Sequence, residues 1–254
     1  MRRANSIKKG VDPSRSIHRY AGIGFLVFFI LVLWGFWPTY FSILGQSMET
    51  HKHLHGLGMT LWCVMLITQA FLIRWKKKSV HKLLGKISYV LVPYILVSGL
   101  HIAQLTLKDI GPPGDIYRNY FSALMFNALL VFAIFYGLAI WHRKTAALHS
   151  RWMICTVFPI LTPATDRIIH HHFESLVQWA PGLQGMPMVQ VYGFGLADLI
   201  LTFLAICDGV VYKRYQVFPW ALGVLLLYHL SVIVFQSAAI LQQMAAWMMA
   251  IPVS

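Results

Sequence analysis

The sequence predicts an all-α fold: a polytopic membrane bundle of seven transmembrane helices, with the N-terminus inside and the C-terminus outside. Three observations carry that expectation. The 254 residues are 58% hydrophobic and only 11% charged, against about 25% charged residues in soluble domains. Apolar windows long enough to cross roughly 30 Å of hydrocarbon, about 20 residues each, recur along the chain. The cations cluster in alternate loops, as the cytoplasmic retention of Lys and Arg requires.

A basic tail, 1–19, opens the chain with Arg2, Arg3, Lys8, Lys9, Arg15 and Arg19. The seven windows of the membrane domain, 20–241, follow at 20–44, 54–73, 87–107, 120–141, 152–169, 189–212 and 217–241. The first is too long for a cleaved signal segment and reads as an uncleaved anchor. The fifth is interrupted by Pro159, Pro163, Asp166 and Arg167, and the charge pattern is what requires a crossing there. A short tail, 242–254, closes the chain.

Of 21 Lys and Arg, all but Lys52, Lys108, Arg118 and Arg167 lie in the N-terminal tail or in the loops after windows two, four and six. Topology therefore accounts for the net charge of +13, so no nucleic-acid partner is inferred. The expected partners are the lipid bilayer and, at the cytoplasmic face, anionic headgroups drawn to the basic loops. His81, His142 and His149 sit among those loops and are assigned to headgroup contact. Trp75, Trp141, Trp152, Tyr212 and Trp220 mark window ends as an interfacial belt does. The odd number of cysteines, Cys63, Cys155 and Cys207, argues for small buried hydrophobes over a disulfide framework.

Polar connections separate the windows. Gly111-Pro112-Pro113-Gly114 forms a turn signal, and the stretch 170–188 holds Pro181, Gly182, Gly185 and Pro187. An internal echo also appears. A terminal Trp, a basic run, His81 and then His101 are matched by Trp141, a basic run, His149 and then His170, with separations of 20 and 21 residues. A duplicated helix pair would produce such a match.

Ionisable groups inside a membrane are costly unless paired, and they mark functional sites. Spacings of four and seven put His51, His55, Met59, Trp62 and Gln69 on one face of window two. The same rule groups Tyr94, Ser98 and His101, and it groups Thr162, Asp166 and His170. Asn127, Asp198, His229 and Gln236 add polar positions in windows four, six and seven. Arg167 is expected to pair with Asp198 or Asp166, which would clamp windows five and six. Asp208 is expected to balance Lys213 and Arg214. His55, His101, His170 and His229 are the expected cofactor ligands, for haem b or for a divalent metal completed by Asp166 or Asp198, since imidazole serves both. Each histidine alone also suits a hydrogen bond to a neighbouring helix.

The stretch 53–85 resembles a family of uncharacterised bacterial multi-pass membrane proteins. The shared pattern is His53-Leu54-His55, Trp62, Gln69 and His81-Lys82-Leu83-Leu84-Gly85, with His149-Ser150-Arg151-Trp152-Met153 reappearing later. That resemblance implies a bacterial plasma (inner) membrane and carries no activity. The histidine pairs are also superficially similar to those of transmembrane b-type cytochromes. A 20-residue gap spans roughly 30 Å of helix, so one haem in the outer half fits that comparison better than two. The topology resembles seven-helix zinc hydrolases of the adiponectin-receptor type, although the last window carries only His229. Three expectations result: haem or metal binding for redox or sensing; a non-enzymatic transporter, receptor or assembly factor with a polar intramembrane site; and a zinc-dependent hydrolase using metal-bound water. No catalytic residue is assigned.

Overall fold

The computed structural model describes residues 14–110, 115–213, 215–234 and 239–250. The tail before Ser14, the Gly111–Gly114 turn, Arg214 and Gln236 lie outside the described residues. The chain is built almost wholly of helices: α1 (Ser14–Phe36), α2 (Thr50–Arg74), α3 (Lys78–Gly85), α4 (Ser88–Ile110), α5 (Ile116–Trp141), α6 (Ala146–Cys155), α7 (Phe158–His172), α8 (Glu174–Trp179), α9 (Gln190–Tyr212), α10 (Phe218–Ile233) and α11 (Ala239–Ala250). A short hairpin, β1 (Gly182–Leu183) and β2 (Met186–Pro187), precedes α9. Its two turn residues, Gln184 and Gly185, have φ of 47° and 92°, the left-handed values that a two-residue hairpin demands.

Local chemistry explains where the helices start and stop. Asp115 caps α5, its carboxylate accepting from the backbone N–H of Tyr117 at 2.8 Å and of Arg118 at 3.2 Å, which satisfies donors otherwise left open. The first apolar window runs to 44, but α1 ends at Phe36 and the chain turns at 37–40. Pro38 is the reason, because it disfavours helical geometry at the residue before it. α1 also reaches back to Ser14, inside the expected basic tail, since no Pro or Gly interrupts 14–20. The fifth window is two helices, α6 and α7, with Pro159 in the first turn of α7. Proline suits that position and cannot supply the N–H that would continue α6. The expected boundary at 241/242 falls within α11, whose Ala, Leu, Met and Gln are strong helix formers.

Packing joins seven of these helices in a closed order: α1, α2, α4, α5, α10, α9, α7 and back to α1. α5 also reaches across to α7, and it feeds two buried clusters. One holds Tyr120, Phe135, Phe158, Phe194, Leu201 and Leu225; the other holds Trp62, Leu66, Val92, Ile95 and Phe132. The reverse side of the ring is apolar as well. Val90, Leu199, Phe203 and Leu227 are 75%, 71%, 64% and 69% exposed. An apolar belt of this extent marks a surface that meets lipid rather than water. Four stretches, Thr50–Arg74, Lys78–Ile110, Ile116–Trp141 and Gln190–Val211, are long and apolar enough to cross a membrane. The α3–α4 and α6–α7 pairs each contain a two-residue break, at 86–87 and 156–157. The first histidines of the two pairs, His81 and His149, meet edge to face at 6.3 Å between ring centroids.

Candidate functional site

Polar side chains converge where α9 faces α10 and α7. Gln190, Phe194 and Asp198 follow one another at intervals of four along α9, so they share a face. Asp198 Oδ2 lies 3.0 Å from Nδ1 of His229 on α10. In the tautomer that donates Nδ1–H to the carboxylate, a neutral imidazole carries its lone pair on Nε2. The His229 ring stacks on Phe194 at 4.1 Å and 19°, and Tyr228, 5.6 Å from Phe194, flanks it at 4.9 Å. At 3% exposure His229 is buried. Its Nε2 and Asp198 Oδ1 are buried and have no hydrogen-bond partner among the described residues. The dyad is thus held by one bond and a ring stack while two polar atoms remain available.

A second chain of bonds runs beside it. Asp166 Oδ1 on α7 accepts from Gln190 Nε2 at 2.9 Å, and Gln190 Oε1 accepts from the Tyr120 hydroxyl at 2.9 Å. Tyr120 comes from α5, so three helices are tied through one carboxamide. His170, one turn beyond Asp166, lies with Nδ1 2.9 Å from the Asp166 carbonyl and 3.4 Å from its carboxylate. Across α5 and α10, Asn127 donates to Ser231 at 2.7 Å. Gln190 and Tyr120 carried no weight in the sequence reading. The eight-residue spacing from Gln190 to Asp198, two steps of four, is the signal that points to the first of them.

The expected Arg167–Asp198 clamp does not form. Arg167 donates to the Pro163 carbonyl at 3.0 Å and lies 4.3 Å over the Phe36 ring of α1. Its position on α7 turns it toward α1, whereas Asp198 faces α10. Asp208 differs from expectation as well. It pairs with Arg151 of α6, accepting from Nε at 2.8 and 2.9 Å and also from Nη2, while Arg151 Nη1 donates to the Ala147 carbonyl. Both side chains are almost wholly buried, at 2% and 1% exposure.

The four histidines expected to share a cofactor have different neighbours. His55 Nδ1 is 3.2 Å from the Ser98 hydroxyl, and His101 stacks on His51 at 5.7 Å. His170 stays with Asp166 of its own helix, and His229 stays with Asp198. Among the described residues no group of three or more His, Cys, Asp or Glu side chains is placed to hold a metal ion. At the basic end, His81 and His149 face each other, and His149 Nδ1 is 2.8 Å from the Ala139 carbonyl. Neither a family model, a curated protein nor a solved structure matches this chain.

Proposed function

We propose that the chain is a multi-pass protein of a bacterial plasma membrane, crossing seven times with its N-terminus inside and its C-terminus outside. It acts without catalysis of its own, as a proton-linked transporter or receptor. The observation that carries this reading is the Asp198–His229 dyad, in which His229 is buried and its Nε2 has no hydrogen-bond partner among the described residues. Intramembrane carboxylate and imidazole chains relay protons in pumps and transporters, and imidazole changes charge between about pH 5 and 8. The Asp166–Gln190–Tyr120 chain holds α7, α9 and α5 around the dyad. The bacterial assignment rests on the His53-Leu54-His55, Trp62, Gln69 and His81 pattern. The membrane assignment rests on the four long apolar helices and the outward apolar belt. Partners under this reading are the bilayer itself and anionic headgroups at the basic loops.

The test is nitrogen-15 NMR of histidine-labelled protein in lipid nanodiscs, with His229 assigned by its loss in His229→Gln. The expected result is a His229 resonance that titrates with pH and whose midpoint moves in Asp198→Asn. A His229 signal that ignores pH between about 5 and 8 overturns the proton reading. An intense Soret band in the purified protein, lost on replacing any two of His55, His101, His170 and His229, overturns it in favour of haem.

A further inference from the structure

The α6–α7 pair carries two arginines that begin alike and end differently. Arg151 Nη1 donates to the Ala147 carbonyl, four residues back, at 2.8 Å, while Nε and Nη2 both donate to the Asp208 carboxylate. Arg167 Nη1 donates to the Pro163 carbonyl, again four residues back, at 3.0 Å. Its Nε and Nη2 make no hydrogen bond among the described residues. None of the ion pairs among the described residues includes Arg167. The Phe36 ring, 4.3 Å from the guanidinium carbon, is its other neighbour. A carbonyl dipole and a ring face attract the cation but supply no counter-charge. Charges at membrane depth pair with one another or mark the path of an ion or substrate.

The free edge of Arg167 is reachable and its surroundings are built. The side chain is half-buried, and none of its nitrogens is among the sealed side-chain atoms that lack a partner. Arg167 stands five residues before the end of α7 at His172, about 7.5 Å of helix rise. α1 packs against both α7 and α2. Gly35 of α1 comes so near the Ala164 carbonyl that an added Cβ would sit 2.5 Å from its oxygen. That contact closes the α1–α7 seam one turn below Arg167. Nearer the outer end, Tyr40 lies against Gly56 of α2 and its hydroxyl donates to the His53 carbonyl at 3.5 Å. His55 is close enough for the Arg167 charge to act on it. Asp166 points about 100° away around the helix, where it accepts from Gln190 and adjoins His170.

We infer that the Nε–Nη2 edge of Arg167 binds an oxyanion, a carboxylate or a phosphate, arriving from the outer side. Arg151 shows the pairing within this chain, since its same edge grips a carboxylate while Nη1 holds the helix. A planar guanidinium fork matches two oxygens of such an anion at once, and Phe36 lies over its face, leaving the edge for the ligand. The source is either a solute outside the cell or the phosphate of an outer-leaflet lipid. This names the ligand class of the transporter or receptor proposed above, and it rests on that reading only for the outward placement of the α7 end.

The test uses the full chain in dodecyl maltoside, a detergent without phosphate or carboxylate. Calorimetric titration with inorganic phosphate and with succinate, and native mass spectrometry with added phosphatidylglycerol, separate the two sources. Saturable binding of at least one probe is expected. Arg167→Gln should weaken it at least tenfold, and Arg167→Lys should keep part of it, retaining the charge without the fork. Binding of phosphate or succinate assigns a solute; binding of phosphatidylglycerol alone assigns a lipid headgroup. His229→Gln should leave binding unchanged, so a failed titration of the dyad and a failed anion site are told apart. In the unsubstituted chain phenylglyoxal should modify Arg167, and the bound probe should slow that reaction at least tenfold by peptide mapping. This second measurement decides if Arg167→Gln does not fold. No saturable binding, equal binding to a folded Arg167→Gln, or an Arg167 that phenylglyoxal never labels overturns the inference.

Discussion

Two carboxylates on one helix, Asp198 and Asp208 of α9, meet basic partners in different ways. Asp208 is saturated: the Arg151 guanidinium covers both of its oxygens, and the remaining guanidinium nitrogen reaches a backbone carbonyl. Asp198 is unsaturated, with one oxygen on His229 and the other buried without a partner among the described residues. A saturated buried pair has nothing left to bind and serves to hold α6 against α9. An unsaturated one keeps a site open for a proton. Completeness of hydrogen bonding separates the clamp from the candidate site, and so does burial: the Asp208 side chain is 1% exposed and that of Asp198 is 23% exposed.

The largest expected effect comes from opening the clamp. Asp208→Ala or Arg151→Ala leaves a buried charge unpaired and should cost about 3–5 kcal/mol, read as a large fall in thermal stability in detergent. Arg151→Met combined with Asp208→Leu should recover most of that loss, because the apolar pair removes both charges together. Two single variants without effect would remove the distinction between the two carboxylates.

The dyad should respond less. Asp198→Ala deprives His229 of the one hydrogen bond it makes among the described residues and should cost about 1–3 kcal/mol, since a neutral imidazole tolerates burial better than a guanidinium does. A loss as large as that of Asp208→Ala would make the dyad a second structural clamp. Tyr120→Phe removes one neutral hydrogen bond to Gln190 and should cost about 1 kcal/mol. The same thermal measurement places it on the scale.

The smallest effect belongs to Glu49, which is fully exposed and bonded to Lys52. The hydrogen bond and charge of Lys52 hold the Glu49 carboxyl below its ordinary value. A lowered folded value makes its contribution present above the ordinary carboxylate range and lost as pH falls through the lowered one. Solvent screening keeps that contribution small. Glu49→Gln should leave the melting temperature, and its pH dependence in the acid range, unchanged.

Much of the frame was legible beforehand because it follows from composition and local rules. Apolar windows located every helix of the ring, and Pro38 and Pro159 accounted for the end of the first window and the division of the fifth; the seventh, expected over 217–241, holds α10 to Ile233 and the start of α11. His229 and Asp198 were both recognisable as intramembrane polar residues. Their mutual pairing was not, since residues 31 positions apart meet only through the packing of α9 on α10. Arg151 was misread for a related reason. In sequence it is one more cation of a basic loop; in the folded chain it is 2% exposed and faces Asp208.

The sequence alone determined that the chain is helical, that its outward face is apolar, and which side chains are too polar to face lipid, because hydropathy and helical periodicity are properties of neighbours along the chain. Tertiary structure decided who meets whom: Arg151 with Asp208, His229 with Asp198, Gln190 between Asp166 and Tyr120, His81 against His149. Those choices depend on the rotation of each helix about its own axis within the ring. That rotation is set by the interlocking of whole helix faces, which no single residue spacing encodes.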